Sequence, residues 1–82
     1  MTRARIRLET TSSIAELVKI LNSDGSIDKY VLEDFEGAYQ VNARSYLGVL
    51  YAFAEFGGNI YLVNKTEDGK YPIEIDKFRP LV

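Results

Sequence analysis

The chain opens on a strict alternation. Between Arg3 and Leu8, the apolar residues Ala4, Ile6 and Leu8 alternate with Arg3, Arg5 and Arg7. This period-2 pattern predicts a half-buried strand with its arginines on one face. A polar stretch, Glu9 to Ser13, follows. Ser12 or Ser13 is placed to cap a helix by accepting one of the N–H groups that a first turn leaves unpaired. Glu16, three residues after Ser13, completes the spacing of a capping box. Ile14, Leu17, Val18 and Leu21 then recur at helical spacing and predict an amphipathic helix of about ten residues. Asn22 to Gly25 ends it, with Gly25 suited to a left-handed C-terminal position.

Ser26 to Asp34 reads as a strand, with Ile27, Tyr30, Val31 and Leu32 as β-formers in imperfect alternation. Phe35 to Ala38 is a turn in which Gly37 supplies the special backbone angle, and Tyr39 to Val41 is a short return strand, so the segment predicts a hairpin. Asn42 to Ser45 leads into a second helix, capped by Ser45, with Tyr46 to Phe56 as its body. That body is apolar almost all round. A domain of 82 residues has little room to enclose such a helix, so one face is expected on the core and another outward. Gly57 and Gly58 stop it. Asn59 to Val63 is apolar on both faces, which predicts a central strand. Lys65 to Lys70 is a polar turn around Asp68 and Gly69. In the tail, Pro72 and Pro80 bracket Ile73 to Phe78, either a short helix or an extended strip, with the helix favoured. Strand, helix, hairpin, helix, strand and tail together predict an α+β domain with helices on one face of an antiparallel sheet.

Composition narrows the chemistry. The length fits a single domain spanning 1–82. Cysteine and histidine are both absent, which removes disulfides, thiolate nucleophiles and the usual general base near neutral pH. Ten basic and twelve acidic residues give a net charge of −2, without the basic excess of a nucleic-acid binder. Arg3, Arg5 and Arg7 therefore read as a solvated strand face. No apolar run reaches the ~20 residues of a membrane span. The N-terminus lacks the apolar region and cleavage site of a signal peptide, so the expected location is the cytoplasm. The hydroxyls of Thr10, Thr11, Ser12 and Ser13 have no base to activate them. Glu33, Asp34 and Glu36 match no calcium loop and read as a solvated turn. The chain is expected to be no enzyme and to need no metal or cofactor.

From Val41 to Val63 the sequence runs VNARSYLGVLYAFAEFGGNIYLV. This resembles the second half of the HPr (histidine-containing phosphocarrier protein) family, whose pattern is Val-Asn-x-Lys/Arg-Ser-x-x-Gly-Val/Leu, an apolar helix, Gly, a polar residue and a strand. Val41, Asn42, Arg44, Ser45, Gly48 and Val49 match it. The resemblance implies an HPr-like open-faced β-sandwich: a four-stranded antiparallel sheet, two helices, and a shortened or altered C-terminal element on one face. It also implies a divergent member. The family's Gly-x-His-Ala-Arg-Pro segment corresponds to Thr11 to Glu16 here, which has no histidine, arginine or proline. Glu16 near that helix start is expected to repel a phosphate.

The resemblance makes Ser45 the counterpart of the family's regulatory serine. A phosphate there would face the positive end of a helix and pair with Arg44, whereas the simpler role of Ser45 is the cap alone. Tyr46, Leu47, Leu50 and Tyr51 fall where such proteins present apolar side chains to enzymes and regulators. The expected partner is thus a phosphotransferase-system or regulatory protein, or a second copy of the chain, with no nucleic acid and no membrane. The leading function is an HPr-like regulatory or protein-interaction module without histidine phosphocarrier activity. The alternatives are a switch phosphorylated on Ser45 and a structural subunit of a larger complex.

Overall fold

A computed structural model of the chain describes residues 1–24, 29–57 and 60–80. The element order is β1 (Thr2–Ile6), α1 (Thr11–Ser23), β2 (Tyr30–Glu33), β3 (Gln40–Asn42), α2 (Tyr46–Glu55), β4 (Ile60–Asn64) and a 3₁₀ helix (Ile73–Phe78). The strands form one four-stranded antiparallel sheet in the order β1-β4-β2-β3. The α+β reading and the central place of the last strand are as the hydrophobic pattern predicts. β4 sits between β1 and β2 and buries Ile60, Leu62 and Val63.

Alternation gives the sheet two unlike faces. Ala4 and Ile6 of β1, Leu32 of β2 and Ile60 and Leu62 of β4 share one face. Ile6, Leu32, Ile60 and Leu62 form the core with Ile14, Leu17 and Leu21 of α1, Val49 and Ala52 of α2, and Ile75 and Phe78 of the 3₁₀ helix. Both helices therefore lie over the same face. Among the described residues no helix covers the other face. On it Arg3 lies 3.8 Å over the Tyr61 ring and donates to Glu33 at 2.8 Å, with Arg5 in the same row as Tyr61 and Glu33.

The first helix starts earlier than its sequence signals suggest. Its cap is Thr10, whose hydroxyl accepts from the Ser13 backbone N–H at 3.2 Å, and neither Ser12 nor Ser13 takes that role. Burial of Ile14, Leu17 and Leu21 fixes the rotation of the helix, not where it begins. Several hydroxyls in succession offer alternative caps, and Thr10 in extended backbone wins. Glu16 consequently stands beyond the first turn, where the helix-end field has faded, and pairs with Lys77 of the tail. The expected glycine stop at Gly25 and the start of the second strand at Ser26 lie outside the described residues, as does Gly58. The described strand begins at Tyr30.

The tail is a helix, of the 3₁₀ kind. Its three-residue period puts Ile75 and Phe78 on one side, and both are buried. The Phe78 carbonyl accepts from the Arg7 N–H at 2.7 Å, and Tyr71 stacks on Tyr30 while donating to the Leu62 carbonyl at 2.9 Å. The last turn of the core is therefore closed by the C-terminal segment. Among the described residues no helix is long and apolar enough to cross a membrane.

Candidate functional site

The corner from β3 into α2 is built from the residues that carry the family resemblance. Val41 packs half-buried against the core and Ala43 is fully buried. The Asn42 side chain accepts from the Arg44 N–H at 2.8 Å, a side-chain turn that redirects the chain out of the sheet. Ser45 has extended backbone, and its hydroxyl accepts from the Gly48 N–H at 3.3 Å, as the sequence predicts for the cap. Gly48 is there for space: a Cβ on it would lie 2.6 Å from the Asn42 carbonyl oxygen. Val49 then enters the core.

Arg44 and Ser45 are adjacent in sequence and differently engaged. The Arg44 Nε donates to the Asn22 side-chain oxygen at 2.8 Å, and the Asn22 amide donates back to the Arg44 carbonyl at 3.2 Å. This reciprocal pair ties the last turn of α1 to the start of α2. The guanidinium therefore has a structural partner that an anion at Ser45 would have to compete with. The first turn of α2 holds no acidic residue, so nothing within that turn opposes the positive end of the helix.

Of the four predicted docking residues, three point outward. Tyr46 is 40% exposed, Leu47 75% and Tyr51 54%. Leu50 is half-buried and packs against the core, fastening the helix from beneath. The one-face-in, one-face-out arrangement expected of this apolar helix is thus realised.

The structure adds residues that the linear pattern does not assign. Phe35 and Tyr39, in and after the hairpin turn, are 61% and 67% exposed. Together with Tyr51 and Phe56 they line a groove of about 600 Å³ beside the C-terminal half of α2. The signal for them in the sequence is two aromatics within a turn that also carries Asp34 and Glu36. A turn that only reversed the chain would not need them.

The other candidates resolve into structure. Thr10 and Ser13 hydroxyls lie 3.2 Å apart, part of the α1 cap. Around that helix start Arg7 pairs with Glu9, Lys77 with Glu16 and Arg79 with Asp76. The acidic hairpin cluster is divided. Glu33 pairs with Arg3, while the Asp34 side chain accepts from the Ala38 and Tyr39 N–H groups at 2.8 and 3.2 Å to shape the turn. Among the described residues no group of three metal-ligating side chains forms.

The most polarised region is a buried-edge network at the far end of β4. Asn64, fully buried, donates to the Asp68 carboxylate at 3.0 Å and to the Lys70 carbonyl, and accepts from the Thr66 N–H at 2.8 Å. Lys29 pairs with Asp24 at 2.9 Å, and the Tyr30 hydroxyl donates to Asp24 at 2.8 Å. The Lys70 backbone N–H, the Thr66 hydroxyl and Asn64 hold the Asp68 carboxyl down at about 2. Lys29 lowers Asp24 in the same direction, against a smaller opposing effect of burial. Burial first, and then the bond to Asp24, raises Tyr30 to about 12.

The linkage has a definite sign. The Asp68 carboxyl, lowered on folding, contributes stability that is complete above its unfolded value near 4 and lost as pH falls toward about 2, and Asp24 acts in the same direction. A tyrosine raised on folding contributes stability that is complete below about 10 and lost as pH climbs toward about 12. Urea midpoints measured across pH should therefore fall along both limbs. Asp68→Asn should flatten the acid limb and Tyr30→Phe the alkaline one. Unchanged limbs in both variants would place the titrating groups elsewhere.

No family model, no curated protein and no solved structure matches the chain.

Proposed function

We propose that the chain is a non-enzymatic regulatory module on an HPr-like scaffold, related to the sugar phosphotransferase system and acting in the cytoplasm. It would dock a protein partner on the outward side of α2. The observation that carries this reading is the exposure of Tyr46, Leu47 and Tyr51 on a helix whose opposite side is locked into the core. Amphipathic tyrosines beside an exposed leucine form the kind of patch that partner proteins bury. The element order and the placement of both helices on one sheet face agree with what the resemblance implies. With no histidine in the sequence, the module would not carry phosphate on that residue.

The test is to mix the isotope-labelled chain with the first enzyme of the phosphotransferase system and phosphoenolpyruvate. Expected are amide shifts at Tyr46, Leu47 and Tyr51, abolished by Leu47→Lys, with no acid-labile phosphate on the chain. Acid-labile phosphate would overturn the loss of carrier activity, and the absence of shifts would overturn this class of partner. The placement of Ser45 at an N-cap with no acidic residue in the first turn favours a second reading, the phosphoserine switch. Phosphate on Ser45 after treatment with a kinase of the HPr-directed type supports it, and an unchanged mass removes it.

A further inference from the structure

We propose that the groove between the β2–β3 turn and the C-terminal half of α2 docks an arginine-bearing segment of a partner protein. Its walls are the exposed rings of Phe35, Tyr39 and Tyr51 and the half-buried Phe56, around a volume of about 600 Å³. The Tyr51 and Phe56 rings meet edge to face at 6.2 Å, so this wall is preorganised. The remaining lining residues among those described are Asp34, Glu36 and Glu55, and no described lysine or arginine lines the groove. Aromatic walls with only carboxylates among them complement a cation that also has a flat apolar surface. A guanidinium meets both demands, stacking on a ring and bonding a carboxylate with its fork of N–H groups.

Two further features make the site electrostatically incomplete. Glu36 and Glu55 have no ion-pair partner among the described residues. The last turn of α2 ends at the groove and carries no basic residue, leaving the negative end of the helix without the cation it favours. Arg3, the nearest described cation bonded to this turn, donates to the carbonyls of Asp34 and Phe35 at 2.8 and 2.9 Å, but its charge is matched by Glu33. A partner's arginine would complete the helix end and the two free carboxylates together.

This site is distinct from docking at the start of α2. Tyr46 and Glu55 stand at opposite ends of the ten-residue helix, roughly 13 Å apart at 1.5 Å per residue, and only Tyr51 is common to both. The probe is an acetylated and amidated Gly-Gly-Arg-Phe-Arg-Gly-Gly peptide, titrated into the isotope-labelled chain. Binding is expected with a dissociation constant on the order of 100 μM, weakening as salt rises. The shifts should centre on Phe35, Glu36, Tyr39 and Glu55. The Glu36→Lys, Glu55→Lys double variant should bind at least tenfold more weakly, and both sites are exposed, so folding should be kept. Tyr39→Ala, at another exposed site, should also weaken binding, while Leu47→Ala should leave it unchanged. Equal binding of the peptide with glutamates in place of arginines would overturn the proposal. So would retained affinity in the double variant, shifts centred on Tyr46 and Leu47, or no binding at millimolar peptide. A dimer of the chain that maps to this groove would assign it to a second copy instead.

Discussion

Ile75→Ala is expected to destabilise the protein by about 2–4 kcal/mol, the range for emptying a buried isoleucine site. Ile73→Ala, two residues away, should change it by less than about 0.5 kcal/mol. The contrast follows from burial: Ile75 is fully enclosed with Leu17, Leu21 and Leu62 in the same core, while Ile73 is 80% exposed. A chain of this length has about 4–12 kcal/mol of total stability, so the first substitution would remove a large share of it. In a domain this small each kcal/mol moves the melting temperature by roughly 4–8 °C. Thermal and urea unfolding of the two variants side by side would check this. Equal, small effects would mean that the C-terminal segment is an appendage rather than part of the core.

Gly48→Val should be the other severe substitution, costing about 1–3 kcal/mol through overpacking despite a gain in helix propensity of a few tenths of a kcal/mol. The new Cβ would stand 2.6 Å from the Asn42 carbonyl oxygen. The obstacle is backbone, which cannot rotate away as a side chain can. Either the β3–α2 corner opens, loosening the Ser45 cap and the Arg44–Asn22 pair, or the first turn of α2 unwinds. A drop in the urea midpoint together with amide shifts at Asn42, Arg44 and Ser45 is the expected signature. A neutral Gly48→Val would show that the corner relaxes freely.

This glycine also bears on what the resemblance can carry. Asn42 makes the turn, Arg44 bridges the helices, Ser45 caps, Gly48 admits the close approach and Val49 enters the core. A chain that turns from a strand into a helix in this way needs these residue types whatever its task. The similarity from Val41 to Val49 therefore speaks more directly to local architecture than to function.

Some of the fold was legible because local chemistry decides it. The Ser45 cap, the Gly37 turn with its φ of +74°, the alternation of β1 and the central place of β4 all follow from short stretches. Others were not, because distant residues decide them. Ser13 and Glu16 have capping-box spacing, yet Thr10 caps α1 and Glu16 turns to Lys77, more than sixty residues on. The order of the strands depends on pairing between β1 and β4 across the whole chain. Of the candidate site, the exposed residues on α2 could be read from a helix too apolar to be enclosed. The groove could not, because Tyr39 and Tyr51 come together only when α2 folds back along β3.

The strand order has a last consequence, for aggregation. β1 and β3 are the edges of the sheet, and an exposed edge is a template on which another chain can add a strand. One edge is only three residues long, and the other carries Arg3 and Arg5 at alternate positions. Short length and repeated charge are the two simplest defences against such growth. Two copies brought together are therefore disfavoured from fusing their sheets edge to edge.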